Sequence, residues 1–183
     1  MEAGRSSAAT GHLPRDRVHN QQSVSGVHAP LDYLRMMRSN ALGQPDELLA
    51  QVAARGAELP ASEIIELLQS AWRERVMGTW FAVLHDRPEV GTTVLASLAT
   101  SWGSLTSPAL AAVAVLLAGP GASSALLEYA AKDVENDWGA AGIVAAALEH
   151  IGAVTELCRA SDDDRATFQG LLDVAARLRA MRP

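Results

Sequence analysis

The chain has one cysteine, Cys158, among its 183 residues. A single thiol cannot form a disulfide within the chain, and it cannot supply the several cysteines of a structural zinc or iron–sulfur site. A catalytic role would require His and Asn or Asp side chains that converge on the thiol. We expect Cys158 to pack as a small apolar side chain, and we expect neither a cofactor nor a metal site.

Lysine is equally scarce, because Lys132 is the only one and the basic residues are otherwise scattered arginines. The formal net charge is -6 and the pI is near 5.3. Proteins that bind nucleic acids gather Lys and Arg, since neutralising phosphates supplies most of their affinity. The charge balance therefore predicts that nucleic acid is not a partner.

Long apolar runs are also lacking. The longest run covers residues 109–118 and is shorter than the roughly 20 residues that a membrane-spanning helix requires. Residues 1–30 contain no apolar core of signal-peptide length. The sequence predicts a cytoplasmic protein that has no membrane partner.

Aromatic residues make up only 4% of the chain, whereas 49% of its residues are apolar and alanine is very common. Alanine is the best helix former, and no segment alternates long enough to predict a strand. Helical segments separated by short turns predict an all-α fold of stacked antiparallel helix pairs, a HEAT-like helical array. Residues 1–30 lack an apolar repeat and predict a flexible arm, and residues 31–183 form a single all-helical domain.

Turn and cap residues divide this domain into helices. A helix is predicted from Pro45 through Arg55 and is closed by Gly56. The longest apolar stripe predicts a helix from Ser62 to His85. Residues 109–118 are apolar on nearly every side, which predicts a helix at the centre of the fold.

The remaining helices follow from the same signals. Their predicted extents are residues 89–102, 123–132, 138–150, 154–159 and a last helix from Ser161. Asp137 is predicted to cap the helix that contains Trp138. Ser161 and the three aspartates after it favour the start of the last helix, and three arginines favour its end.

The candidates for acid/base catalysis are Asp137 and His150. They would form a pair within an apolar pocket lined by Trp80 and Trp138, and capping is the alternative role of Asp137. The same two residues with Asp133 make a conceivable carboxylate/His metal site, but the spacing typical of metal ligands is missing. No motif in the sequence is a strong catalytic signal.

The candidate binding residues are of the types that dominate protein interfaces. They are Arg73, Trp80, Trp102, Trp138 and Glu149. Trp80 also lies on the long apolar stripe, so core packing is its alternative role. Trp102 and Trp138 are predicted at helix ends, where an exposed anchor and half-buried packing both remain open. Arg73 either pairs with carboxylates between helices or reaches an acidic partner.

Two segments carry a resemblance to a known family. Residues 72–80 (WRERVMGTW) and the segments 137–142 (DWGAAG) and 147–151 (ALEHI) are similar to motifs of a family of uncharacterised bacterial helical proteins, a domain of unknown function. The resemblance implies a compact HEAT-like array with no established activity. Arrays of this kind mostly bind other macromolecules, and some comparable bacterial proteins look like immunity proteins that occupy the active site of a toxin.

These observations predict a binding or adaptor module that holds a protein partner in a groove of the array, in one version an immunity-like inhibitor. The alternative is a small helical enzyme that acts on a small molecule through Asp137 and His150. Self-association through the alanine-rich helices is a third possibility. The proposed partner is thus another protein or a second copy, and a small molecule stays open.

Overall fold

The computed structural model describes residues 32–182, and the predicted flexible arm lies outside them. The described residues form nine α-helices and no strand, which confirms the all-α prediction. The helices are α1 (Asp32–Met36), α2 (Asp46–Glu58), α3 (Ala61–Gln69), α4 (Trp72–Ala82), α5 (Pro88–Ala99), α6 (Ser107–Ala118), α7 (Ser123–Asn136), α8 (Ala141–His150) and α9 (Asp162–Ala180). Two short 3₁₀ segments, Arg38–Gly43 and Gly119–Ala122, precede α2 and α7.

Helix α6 is the centre of the fold, as its apolar composition predicts. Every residue from Ala109 to Val115 is buried, and α6 contacts α4, α5, α8 and α9. A helix that has neighbours on all sides cannot keep a polar face. Its apolar sequence is therefore a consequence of its position.

Consecutive helices pack as pairs, and the stack also closes on itself. Helix α9 packs against α2 and against the 3₁₀ segment before it, and Arg177 of α9 forms an ion pair with Asp46 of α2. Gly170 allows this approach, because a Cβ there would lie 2.7 Å from Leu42 Cδ2. The last helix thus covers elements from the start of the described chain.

The predicted helix from Ser62 to His85 is wrong, because the chain breaks at Ser70 into α3 and α4. The Ser70 hydroxyl donates to the Glu66 carbonyl (2.6 Å). The guanidinium of Arg75 donates to the carbonyls of Leu68 (2.9 Å) and Ser70 (3.1 Å), which satisfies groups left open at the end of α3. Gly78 then lets α4 fold back onto α3, since a Cβ there would lie 2.9 Å from the Leu68 nitrogen.

Gly56 does not end α2, contrary to the prediction, because the helix continues to Glu58. A Cβ on Gly56 would lie 2.7 Å from Phe81 Cδ1 and 2.5 Å from Leu84 Cδ1. The glycine is therefore used for close helix packing. The ring of His85 reaches the same place, with its Nε2 3.0 Å from the Gly56 carbonyl.

The chain between α8 and α9 is not helical, so the helix predicted at residues 154–159 is wrong. The prediction for the last helix is confirmed at its start. Ser161 accepts from the Asp164 backbone N–H, and the Asp164 carboxylate accepts from the Ser161 N–H, a reciprocal capping box.

One helical stretch, Ser107–Asn136, is long and apolar enough by length and composition to cross a membrane. It joins α6 and α7 through the 3₁₀ segment, where Gly119 has φ 52° and ψ -128°. Half of its most apolar window is buried inside the protein. A buried core helix passes the same test, so this finding does not place the protein in a membrane.

Candidate functional site

Trp102 is the most exposed tryptophan of the described residues. It lies in the connection after α5, because the helix that was predicted to end at Trp102 ends at Ala99, and 85% of its surface is accessible. Its ring stacks on that of Trp138, with centroids 6.5 Å apart and an interplanar angle of 23°. A large apolar side chain that is both exposed and held against a second ring is typical of a contact surface.

Trp138 connects this exposed ring to the core. It is half-buried, and its ring lies 5.9 Å from that of Tyr129, which is fully buried on α7. The three aromatic rings therefore form a row from solvent to interior. We call Trp102 and Trp138 the tryptophan surface.

Beneath the tryptophan surface lies a buried carboxylate, Asp133, which is 1% exposed. It accepts a hydrogen bond from the Tyr129 hydroxyl (2.8 Å). It also accepts from the backbone N–H groups of Ala140 (3.1 Å) and Ala141 (2.8 Å), at the start of α8. A side chain of α7 thus caps the next helix, and this bond fixes the loop that carries Trp138.

The prediction that Asp137 caps α8 is therefore wrong. Asp137 lies in the left-handed region (φ 53°, ψ 48°), where it ends α7 four residues later than predicted, and α8 begins at Ala141. The side chain of Asp137 is exposed, whereas that of Asp133 is inside. One signal in the sequence identifies Asp133: it continues the buried positions of α7, Leu126, Tyr129 and Ala130, at helical spacing.

The hydroxyl of Tyr129 completes the buried network. Burial raises the pKa of Tyr129 well above its ordinary value, and the neighbouring Asp133 raises it further. The Ser107 hydroxyl lies 2.7 Å away and donates to Tyr129, which opposes these two effects. The Tyr129 hydroxyl therefore stays protonated and donates a hydrogen bond to Asp133 (2.8 Å), with the Gly103 carbonyl (3.0 Å) as a second acceptor.

Cys158 lies in the loop before α9 and is half-buried against the core. Burial raises the pKa of its thiol, and the negative charge of Asp133 raises it further. A thiol with a raised pKa is a poor nucleophile at neutral pH. This environment agrees with an apolar packing role.

Arg73 is exposed and lies over two aromatic rings rather than beside a carboxylate. Its guanidinium carbon is 5.1 Å from the Trp72 centroid and 5.7 Å from that of Tyr33. Those rings meet edge to face at 5.4 Å, which joins α1 to α4. Among residues 32–182 no carboxylate lies within 4.0 Å of Arg73, so its N–H groups can still reach a partner.

Trp80 and Glu149 are engaged within the protein. Trp80 is 0% exposed, and its indole N–H donates to the Met36 carbonyl (2.8 Å), so the structure places it in the core and not on a surface. Glu149 accepts two hydrogen bonds from Arg165, at 2.8 and 3.2 Å. The arginine lowers the pKa of Glu149 through these bonds and its charge.

Asp137 and His150 are not brought together. They lie at opposite ends of α8, and the helix between Ala141 and His150 is about 14 Å long. The ring of His150 packs on that of Phe168 at 5.4 Å. The acid/base pair of the enzyme alternative is therefore not formed.

No group of three or more His, Cys, Asp or Glu side chains in residues 32–182 is arranged to hold a metal ion. The described part of the chain has an exposed aromatic pair with a buried network beneath it and, on α1 and α4, a basic group over two further rings. This arrangement can bind, and it presents no nucleophile beside a base.

Comparison with known proteins adds no relative: no family model, no curated protein and no solved structure matches the chain. The resemblance of segments 72–80 and 137–151 to a bacterial helical family stays a prediction.

Proposed function

We propose that the protein is a binding module that holds a protein partner on the tryptophan surface. The observation that carries the proposal is the 85% exposure of Trp102 together with its stacking on Trp138. Tryptophan is the residue most enriched among interface hot spots, because one rigid ring buries a large area at low entropic cost. A partner that covers this ring removes much apolar surface from water.

The charge around the tryptophan surface favours a basic partner. Glu135 and Asp137 are exposed and lie within three residues of Trp138, in a chain whose formal net charge is -6. Lys132, the only lysine, already pairs with Glu128 at 2.7 Å. An arginine or lysine of the partner would meet carboxylates and indole faces together, and both attract a cation.

The surface is also pre-organised for binding. The Asp133 carboxylate holds the start of α8, so Trp138 and the ring stacked on it keep their positions without a partner. A side chain that is already ordered loses less entropy on binding. The buried network therefore supports the binding role from below.

Affinity capture with matched variants tests the proposal. The purified chain, Trp102→Ala and Val154→Ala are used as bait; Val154 is an apolar control, 91% exposed, on a different loop. We expect a stoichiometric protein with the wild type and with Val154→Ala, and affinity lower by at least about 30-fold with Trp102→Ala. Equal affinity of the two variants, or capture of nothing by any bait, would overturn the proposal.

The identity of the captured protein separates the two versions of this role. A toxin that loses activity when bound supports the immunity-like inhibitor, and any other protein supports a general adaptor. Light scattering over a range of concentrations tests the remaining alternative. A dimer that Trp102→Ala dissociates would identify the partner as a second copy of the chain.

A further inference from the structure

A half-open cavity lies between the end of α3, the start of α4 and one side of α5, and neither residue of the tryptophan surface lines it. Its volume is about 300 Å³. The side chains that line it are Leu68, Gln69, Arg75, Thr92, Thr93, Ala96, Ser97 and Thr100. The volume is at the lower end of the range for small-molecule sites.

Among residues 32–182, Arg75 is the only charged residue that lines the cavity. Its Nε–H donates to the Leu68 carbonyl, and one N–H of Nη2 donates to the Ser70 carbonyl. Three of the five N–H donors of the guanidinium therefore remain. No carboxylate among the described residues lies within 4.0 Å of Arg75. Burial lowers the pKa of Arg75, which marks a cation that has lost water without gaining a counter-ion.

The hydroxyl groups that line the cavity donate their protons to backbone carbonyls. Thr92, Thr93 and Thr100 donate to the backbone carbonyls one helical turn earlier in α5. Ser97 donates to the Leu68 carbonyl (3.0 Å). Each oxygen keeps lone pairs that can accept a hydrogen bond, so the side of the cavity formed by α5 is rich in acceptors.

We propose that this cavity binds a small carboxylate that also carries hydroxyl or ammonium donors. Arg75 binds the carboxylate through its free N–H groups, for which a planar two-oxygen anion is the matching shape. The threonine oxygens and the Gln69 amide accept from the donors of the ligand. The site is separate from the tryptophan surface, and its test is independent of any protein partner.

Calorimetric titration at constant ionic strength tests the site with L-malate and L-glutamate as probes. Acetate lacks the donors, and inorganic phosphate lacks the planar two-oxygen face. We expect malate or glutamate to bind at least about 10-fold more tightly than acetate and phosphate, because only they match both walls. No binding by malate and glutamate, or equal binding of phosphate, would overturn the proposal.

Variants locate the binding in this cavity. Ala96→Leu places a larger side chain at a residue that lines the cavity and takes no part in the bonds that Arg75 makes to α3, and Ala131→Leu is the matched control on an exposed position of α7. We expect Ala96→Leu to abolish binding and Ala131→Leu to retain it. Arg75→Lys keeps the charge without the fork and should weaken binding by about 10-fold or more. Retention of full affinity by Ala96→Leu would show that the probes bind elsewhere.

Discussion

The two ends of α8 are held in different ways. At its start, a buried carboxylate of α7 accepts from two backbone N–H groups and from the hydroxyl of Tyr129. At its end, the exposed side chains of Glu149 and Arg165 form an ion pair, and the exposed His150 packs on the buried ring of Phe168. Hydrogen bonds to a buried charge stabilise far more than an exposed ion pair. The start of α8, next to the loop that carries Trp138, is therefore fixed more firmly than its end.

Removal of the buried carboxylate should have the largest effect. Asp133→Ala leaves two backbone donors without their acceptor and takes from the Tyr129 hydroxyl the nearer of its two acceptors, the other being the Gly103 carbonyl; we expect the free energy of unfolding to fall by about 3 kcal/mol. Urea denaturation measures this loss. Asp137→Gly is the control, since glycine relieves the left-handed conformation and should raise stability by up to about 1 kcal/mol. The capping role would be contradicted if Asp133→Ala lowered the free energy of unfolding by less than a substitution of an exposed side chain does.

Tyr129→Phe removes one hydroxyl of the same network and should cost about 1–2 kcal/mol at neutral pH. Burial raises the folded-state pKa of Tyr129 above its unfolded value. Its stabilising contribution is thus complete below the unfolded pKa near 10 and is lost as the pH rises above it. The difference between the two proteins should narrow in alkaline denaturation curves, and a constant difference would be inconsistent with a buried neutral tyrosine.

Loss of the outer ring, that of Trp102, should lower the free energy of unfolding less than it reduces the favourable free energy of binding to a partner. Trp102→Ala removes a stacked pair whose outer member is 85% exposed, and we expect a loss of about 1 kcal/mol or less. The near-ultraviolet circular dichroism should change, because Trp138 loses its stacking partner. Val154→Ala should leave the spectrum unchanged. An unaltered spectrum for Trp102→Ala would mean that the two rings do not stack in solution.

The smallest effect is expected at the other end of α8. Glu149→Gln breaks the exposed pair with Arg165, and its stability should equal that of the wild type at high salt. Arg165 lowers the folded-state pKa of Glu149, so any contribution is present above the unfolded pKa and is lost as the pH falls through the folded one. Stability measured from about pH 6 down to about pH 3 should converge for the two proteins. Divergence at acid pH would reverse this assignment.

The sequence predicts what local composition decides. The all-apolar helix α6 and the capping box of Ser161 were predictable, because each depends on neighbouring residues alone. The break at Ser70 was not, since the apolar stripe continues through it at helical spacing and Arg75 closes α3 from the next helix. Gly56 lies where the sequence predicts the helix to end, yet a glycine is needed there because the backbone packs closely against Phe81, a residue distant in the chain.

The candidate site was predictable in its residue types but not in its arrangement. Trp102 and Trp138 were both named from the sequence, and only the packing of α5 against α7 places the loops after these two helices, and hence the two rings, together. Among the acidic residues before Trp138, the choice of Asp133 as the cap depends on the left-handed turn at Asp137. The pairing of Asp137 with His150 fails because a whole helix separates them.

The closure of α9 onto α2 has a consequence for biosynthesis. The ribosome makes the chain from its N-terminal end, so α6 emerges before α9, the helix that covers one of its sides. The apolar residues of α6 on that side stay uncovered until Asp162–Ala180 has been synthesised. A nascent chain that pauses before α9 exposes that side to chaperones and to other nascent chains. Contacts of α9 with α2 and with the 3₁₀ segment before it also raise the mean sequence separation of contacting residues, which slows folding relative to a simple helical hairpin stack.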